Sequence, residues 1–247
     1  MVKFRYPAAL ILAAALAGCA NMDPNALLSA GSSAYTAASL SDSDIVELSD
    51  AACKQSDAES QIAPASSAYT KRLNRVMQGF GPVTLNGQSI NYKVYMTNDV
   101  NAWAMGNGCI RVYKGLMDMM TDDELRGVIG HEMGHVALGH SKKAMRTAYA
   151  VNAARTAAAG SGNSTVSALS QSELGNLTEA LINAQFSQSQ EFEADDYSFE
   201  LLGQKGMNRL GLATAFEKLA ELDGGESSIM SSHPSSPERA RRVRDRL

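Results

Sequence analysis

The pattern of hydrophobic and polar positions makes the second half of the chain helical. Thr121 and Glu124 form a T-x-x-E capping-box pattern ahead of LRGVIGHEMGHVALGH, which predicts that a helix begins there. An Ala-rich helical stretch follows to about residue 158. The polar, glycine-rich segment at residues 160–167 then predicts a mobile loop. We expect further helices at about residues 172–203, 208–222 and 235–246.

The first half mixes helices with short strands. An acidic first turn after Ser41 predicts one helix, and a second is expected at residues 66–79. The segment VTLNGQSINYKVYM has an Asn-Gly turn between strand-like runs, which predicts a hairpin. Strands near residues 90–97 and 109–113, with a short edge strand at 102–105, would form a small sheet. No internal repeat or second hydrophobic core is evident, so the pattern predicts one mostly helical α+β domain.

The N-terminus has the features of an export signal. Lys3 and Arg5 precede an apolar run at residues 7–17, which is too short to span a bilayer. The run ends in LAGC, which resembles a bacterial lipobox with a lipidated Cys19. An ordinary secretory signal with a chance cysteine is the alternative. Because Ala20 replaces the Asp that retains lipoproteins in the inner membrane, we expect an outer-membrane anchor facing the periplasm.

Composition along the chain predicts where the signal peptide, the tether and the folded domain begin and end. We predict a signal peptide at residues 1–18, a tether rich in Ser, Ala and Asn at 19–40, and a folded domain at 41–247.

The net charge of -4 and the absence of a basic stripe with aromatics argue against a nucleic-acid partner.

Two cysteines remain if Cys19 carries a lipid. In an oxidising compartment Cys53 and Cys109 are expected to form one disulfide, and two buried free thiols are the alternative. The bridge would close a loop of about 57 residues, worth about 4 kcal/mol in the chain-entropy model. It would connect the first helix to the strand that follows the edge segment.

HEMGH, at residues 131–135, carries the clearest chemistry. On a helix the two histidines differ by about 40° and Glu132 lies between them, so all three share one face. Such a face lets two imidazoles bind one zinc ion while a carboxylate reaches a metal-bound water. On a continuous helix His140 would lie about 180° from His131, so we expect it to point away from the metal. It is expected to be a structural or surface histidine.

A third ligand must come from elsewhere in the chain. The candidates are His233 and the carboxylates of QEFEADDYSFE, residues 190–200. On a helix Glu191 and Asp195 share a face, while Glu193 points about 200° away from Glu191. Glu191 could then bind the metal and Asp195 could accept a hydrogen bond from a ligand histidine. A solvated acidic face is the plain alternative.

Four motifs in order resemble the HtpX and CAAX-prenyl-endopeptidase group of gluzincin metallopeptidases. HExxH is followed by E-x-x-A-D, which begins at Glu191. VNAWAMGNGCIRVYKGLM, residues 100–117, is similar to the group's N-A-F-A…G…I-x-V…G-L segment, with Trp103 in place of Phe. HPSSPER, residues 233–239, matches H-P-x-x-x-x-R. The resemblance runs from about residue 41 to the end.

The resemblance implies a zincin-type domain with a small sheet whose edge strand lies beside the HExxH helix. It implies one Zn²⁺ bound by His131, His135 and Glu191, with Glu132 as the general base. For His233 and Arg239 it leaves two roles open. They would support the oxyanion of the tetrahedral intermediate, or His233 would bind zinc in the resting enzyme as a latch. A surface histidine and arginine are the plain alternative.

The implied activity is that of a zinc metalloendopeptidase acting on periplasmic or outer-membrane proteins in quality control or stress. Envelope proteases or assembly machinery are the expected partners. A peptide substrate would pair with an edge strand formed by Asn101, Ala102, Trp103 and Ala104, although Trp103 could equally be a core residue. Two rival readings are a non-catalytic zinc-containing chaperone or assembly factor and a binding lipoprotein whose HExxH is accidental. The natural substrate and the oligomeric state are not encoded in any motif.

Overall fold

The computed structural model describes residues 39–158, 169–222, 229, 232–233 and 237–247. The predicted signal peptide, residues 19–38 of the tether and the loop at 160–167 lie outside the described residues. The three proposed segments, with boundaries after residues 18 and 40, therefore stay predictions.

Nine helices and five short strands make up the described part of the chain. The helices are α1 (Asp42–Glu59), α2 (Ala68–Phe80), α3 (Lys114–Met119), α4 (Asp122–Ala137), α5 (His140–Ala158), α6 (Gln171–Ile182), α7 (Gln188–Gln204), α8 (Leu210–Glu221) and α9 (Pro237–Arg244). The strands are β1 (Thr84–Leu85), β2 (Gln88–Ser89), β3 (Asn91–Tyr95), β4 (Ala102–Ala104) and β5 (Cys109–Tyr113). This mostly helical architecture confirms the α+β prediction.

The predicted hairpin and sheet both form. β1 and β2 pair antiparallel around Asn86 and Gly87, whose φ angles of 51° and 81° are those of a tight hairpin turn. In the three-stranded sheet β5 lies in the centre, parallel to β3 and antiparallel to β4. β4 is thus an edge strand, and it packs against α4, the HExxH helix. The position of the edge strand is as predicted.

The sheet separates two hydrophobic clusters, so the expectation of a single core was wrong. Successive side chains of a strand point to opposite faces. On β5, Ile110 and Val112 pack into a large cluster with α4 and α8, whereas Cys109 and Tyr113 face a smaller cluster. The smaller cluster contains residues of α1, α5 and α6. Sequence periodicity did not reveal it because its members come from segments that are distant along the chain.

A disulfide and an ion pair connect α1 to β5. Cys53 and Cys109 form the predicted disulfide, with a Cα–Cα distance of 6.5 Å. One turn further along α1, Asp57 accepts hydrogen bonds from Arg111 Nε at 2.7 Å and Arg111 Nη2 at 2.9 Å. Lys93 and the Tyr95 hydroxyl bind the same carboxylate. The side chain of Arg111 is only 1% exposed, so this pair lies between the sheet and the helix.

Two long helices expected from the sequence are each divided. The helix that begins at Thr121, with the predicted capping box, ends at Ala137, and α5 starts anew at His140. Gly139 between them has φ 79°, which a right-handed helix does not accommodate. The helix expected at residues 172–203 is interrupted at 183–187, and Ser187 with Gln190 forms a capping box that starts α7. Among the described residues, no helix is both long and apolar enough to cross a membrane.

Close packing brings α7 against α4. A Cβ added at Gly130 would lie 2.6 Å from Ser198 Oγ, and one added at Gly134 would lie 3.0 Å from the Cα of Ala194. Both glycines therefore allow an approach that a side chain would block. This contact brings the E-x-x-A-D motif of α7 next to the HExxH face.

Candidate active site

Four side chains converge between α4, α7 and the segment before α9. One ligand atom from each of His131, His135, Glu191 and His233 lies within 4.8 Å of all the others. His131 Nε2 is 3.0 Å from His135 Nε2, and Glu191 Oε1 is 3.5 Å from His135 Nε2. All four side chains are buried. The structure thus brings together the three predicted ligands and adds His233 to them.

Asp195 and Arg239 form a buried ion pair beside these ligands. Arg239 donates through Nε and Nη2 to the two oxygens of Asp195, at 2.8 and 2.6 Å. Asp195 Oδ1 also lies 2.8 Å from His131 Nδ1, and Arg239 Nη1 lies 2.7 Å from Glu191 Oε2. Asp195 thus contacts the outer nitrogen of His131, where a residue that orients a ligand histidine would lie, and Arg239 contacts both Glu191 and Asp195.

The charges in this cluster shift its pKa values in opposite directions. Burial and Arg239 act to lower the pKa of His131, but hydrogen bonds with Asp195 and Glu191 outweigh them and raise it to about 9. Burial holds the pKa of His135 well below its usual range. Although burial opposes it, hydrogen bonds with the three histidines keep the pKa of Glu191 far below normal. Glu191 is thus a carboxylate and His135 a neutral imidazole, the forms that bind metals, whereas His131 must release a proton when it binds the metal.

Glu132 is placed differently from the other acidic groups. Burial raises the pKa of its carboxyl. Among the described residues its Oε1 has no hydrogen-bond partner, and the His233 Nε2 atom is 3.6 Å away. A buried carboxylate with a free oxygen and a raised pKa is suited to accept a proton and return it.

Backbone hydrogen bonds around His233 hold its side chain against the other ligands. Its N–H donates to the carbonyl of Ile229 at 2.8 Å, and the N–H of Ile229 donates to the carbonyl of Val100 at 3.3 Å, just before β4. Its Nδ1 is 3.0 Å from Glu191 Oε1 and 3.3 Å from His131 Nε2. This is the position of a fourth ligand, and the reading of His233 as a surface residue is wrong.

The expected orientation of His140 is wrong. It assumed one continuous helix, and the break at Gly139 instead brings His140 Nδ1 to 3.0 Å from His135 Nδ1. His140 Nε2 is 3.1 Å from Glu193 Oε2. His140 is buried and lies outside the group of four converging ligands, so the expectation that it is not a ligand agrees with the geometry.

Phe186 covers one face of the His135 ring. The two rings stack with centroids 3.9 Å apart and an angle of 26° between their planes. Phe186 lies in the short connection between α6 and α7, and its N–H donates to the carbonyl of Ser232 at 3.4 Å. Sequence reasoning missed Phe186 because the connection was read as helix. The S-x-x-Q pattern at Ser187 would have revealed it.

The four residues predicted to bind substrate lie where expected along the chain, but Trp103 points inward. Trp103 packs in the smaller cluster and donates through Nε1 to the Tyr113 hydroxyl at 3.3 Å. The Met105 N–H donates to Cys109, and the Tyr113 N–H donates to Asn101. The alternation of an antiparallel ladder then directs the backbone groups of Ala102 and Ala104 away from β5. The Ala104 carbonyl accepts a hydrogen bond from Ser141 Oγ.

The donor set fits a divalent zinc ion. Three imidazole nitrogens and one carboxylate oxygen are ligands that zinc prefers, and the outer nitrogens of His131 and His135 each have a hydrogen-bond partner. His131, His135 and Glu191 converge close to a Glu132 oxygen that has no hydrogen-bond partner in the described part of the chain, which contradicts the interpretation of HExxH as accidental.

The chain is similar to proteins that are named as proteases, in agreement with the metal-binding cluster. Metalloprotease LoiP of Escherichia coli strain K12 is 58% identical over 240 residues, which cover 97% of this chain and 94% of LoiP. Metalloprotease YcaL of the same strain is 51% identical over 239 residues, covering 95% and 93%. Protease HtpX of Mannheimia succiniciproducens is 30% identical over 174 residues, covering 57% of this chain and 61% of HtpX.

The sequence pattern of peptidase family M48 matches residues 68–247. This range contains HExxH, Glu191 and His233, and it confirms the resemblance inferred from the motifs. With its buried metal-binding cluster intact, the chain belongs to peptidase family M48 and is a metalloprotease.

Proposed function

We propose that this chain is a zinc-dependent endopeptidase of the bacterial cell envelope, anchored to the outer membrane through Cys19 and facing the periplasm. Its substrates would be periplasmic or outer-membrane proteins, cleaved in quality control or stress. One observation carries the chemistry: His131, His135 and Glu191 converge beside a Glu132 oxygen to which no residue that the structure describes donates a hydrogen bond. The lipobox-like LAGC ending at Cys19 supports the location.

In the proposed mechanism His131, His135 and Glu191 hold the zinc ion. When bound, the ion would lower the pKa of water and polarise the scissile carbonyl. Glu132 accepts the proton of the attacking water at a carboxylate oxygen and passes it to the leaving amine. Its raised pKa brings its proton affinity closer to that required for both transfers. Asp195 keeps the His131 ring in place through Nδ1.

We propose that His233 acts as a latch that occupies the fourth position in the resting enzyme. Its Nδ1 lies among the ligand atoms, and its segment is attached at Val100 and Phe186. We propose that Arg239 positions Glu191 and Asp195, because it donates hydrogen bonds to both oxygens of Asp195 and its Nη1 lies 2.7 Å from Glu191 Oε2.

Substrate would add to the sheet at β4. Ala102 directs its N–H and carbonyl away from β5, and so does the N–H of Ala104. Because Ala102 is buried, an extended peptide would pair with these groups only after they are uncovered. An apolar groove lies along this edge, lined by Trp103, Ala104, Met105, Met145 and Phe186 among others. Main-chain pairing would tolerate many sequences, and the groove would select among side chains.

The test of this function compares the wild type with Glu132→Gln. The variant should keep stoichiometric zinc, measured by mass spectrometry of the metal, and lose cleavage of an unfolded protein by about 100-fold or more. Glu200→Gln, an exposed carboxylate on α7, is the matched control and should remain active. Profiling of new protein N-termini in the envelope would identify substrates. Retained cleavage by Glu132→Gln would refute the mechanism. If an inactive variant still restored the envelope of cells that lack the protein, a non-catalytic chaperone or assembly factor would be favoured.

The membrane anchor has its own test. Cys19→Ser should release the protein from outer-membrane fractions into the soluble periplasm, while zinc content and cleavage stay unchanged. Palmitate labelling of the wild type and not of the variant would identify the modified residue. Unchanged fractionation would favour the ordinary secretory signal.

A further inference from the structure

We infer that His140 and Glu193 are a positioning pair for the metal ligand His135, equivalent to the role of Asp195 for His131. The inference rests on the proposed binding of zinc by His135. It assigns a role to two residues that helical spacing placed away from the metal. Neither residue would touch the metal or the substrate.

The distances define one consistent arrangement of protons. His135 Nε2 faces the other ligands, so its Nδ1 lies on the far side of the ring, 3.0 Å from His140 Nδ1. A ligand nitrogen carries no proton, so Nδ1 of His135 carries the N–H and donates it to His140. Because His140 accepts at Nδ1, its own ring proton lies on Nε2. That N–H donates to Glu193 Oε2 at 3.1 Å.

The chain of hydrogen bonds runs from the buried ligand towards solvent. The side chain of His140 is 7% exposed and that of Glu193 is 54% exposed. Ser189 Oγ donates to the other oxygen of Glu193 at 3.0 Å, which holds the carboxylate in place. Each acceptor in the series makes the preceding N–H a better donor and His135 Nε2 a better ligand.

The fold restrains the His135 ring from two directions. Phe186 stacks on its face, and His140 binds its Nδ1 edge. Stacking leaves the ring free to turn within its plane of contact, whereas a hydrogen bond at Nδ1 fixes where Nε2 points. The break at Gly139 makes this possible because it redirects the chain just before His140.

The experiment measures zinc affinity by competition with a chromophoric chelator, using the purified full-length chain. His140→Ala should weaken zinc binding by about 10- to 100-fold, the usual effect of removing a partner of a ligand histidine. Glu193→Gln should weaken it by roughly threefold to tenfold, because a neutral acceptor replaces a charged one. Glu200→Gln is the matched control: it lies on the same helix, is 56% exposed, pairs with Arg246, and should leave zinc affinity unchanged.

A double-mutant comparison separates positioning from a general loss of structure. His140→Asn keeps an acceptor for His135, but its side chain is shorter than the imidazole and its amide N–H does not reach the position of Nε2 beside Glu193, so it should recover most of the affinity lost in His140→Ala. In the His140→Asn background, Glu193→Gln should have no further effect. These variants keep the test decisive if His140→Ala fails to fold.

Three results would overturn the inference. They are a His140→Ala affinity within about twofold of wild type, no recovery in His140→Asn, and an equal effect of Glu193→Gln in both backgrounds. Zinc binding by the wild type tests the proposed function separately. If the wild type bound no zinc, both proposals would fall, whereas equal affinity in all variants would remove only the positioning pair.

Discussion

Arg239 Nη2 lies 2.6 Å from Asp195 Oδ1, with both side chains almost fully buried. The pair lies beside His131 and Glu191, so it contributes both to folding and to the metal site. Arg239 holds the pKa of Asp195 below its ordinary value in spite of burial. Removing either partner leaves a buried charge with fewer contacts, which is costly.

Asp195→Asn should lower the free energy of unfolding by about 3 kcal/mol and weaken zinc binding by about 10-fold or more. Arg239→Lys should not substitute, because an ammonium cannot form the two parallel hydrogen bonds. Urea unfolding of chelator-treated protein measures the first effect without a contribution from bound metal. Arg244→Lys, in the exposed pair with Glu217, is the control and should change stability by less than about 1 kcal/mol.

The second prediction concerns acid stability. Burial acts to raise the pKa of Asp57, but hydrogen bonds from Arg111, Lys93 and Tyr95 lower it to about 2. A lowered pKa contributes stability above the unfolded value of about 4, and the contribution is lost as the pH falls through about 2. Asp57→Asn should therefore be less stable than wild type at pH 6 and approach it near pH 2. Urea midpoints across this range measure the difference, and a constant gap would contradict it.

The disulfide gives a third prediction. Cys53→Ser with Cys109→Ser should lower the free energy of unfolding by about 4 kcal/mol, because the bridge closes a long loop in the unfolded chain. Because β5 supports β4, the affinity for an inhibitory peptide should fall as well. Unchanged peptide affinity would disconnect the bridge from the substrate edge. Combining these changes with Asp57→Asn should cost more than the sum of both, since the two bonds join the same elements.

The proposal that His233 acts as a latch predicts whether removing its side chain raises or lowers proteolytic activity. His233→Ala should raise cleavage of an unfolded protein by about threefold or more, because it removes the group that occupies the fourth position. A fall by about 100-fold would instead assign His233 to the oxyanion. Zinc content, measured on the same samples, should stay stoichiometric because three ligands remain. Ser232→Ala, at the adjacent position, is the local control.

The local elements with strong end signals were predictable from the sequence. The capping box at Thr121, the Asn-Gly hairpin and the edge strand depend on neighbouring residues, and each formed as expected. Glu191 was identified because its motif has a fixed spacing and a family resemblance. The cysteine pair followed from the expected compartment and the even count.

The failures concerning His140 and Phe186 have a common physical cause. Helical periodicity predicts the direction of a side chain correctly only while the helix continues, and the helix is broken at Gly139, one residue before His140. The same error, applied to residues 183–187, hid Phe186. The contact between His140 and Glu193 joins two helices whose mutual placement depends on packing, so no local pattern contains it.

The central position of β5 has a consequence for how the protein unfolds. Its alternate side chains belong to the two hydrophobic clusters, and its backbone is bonded on both edges. Neither cluster can open without exposing the other side of the same strand. The two halves should therefore melt together as a single cooperative unit, with equal calorimetric and van't Hoff enthalpies for the metal-free domain.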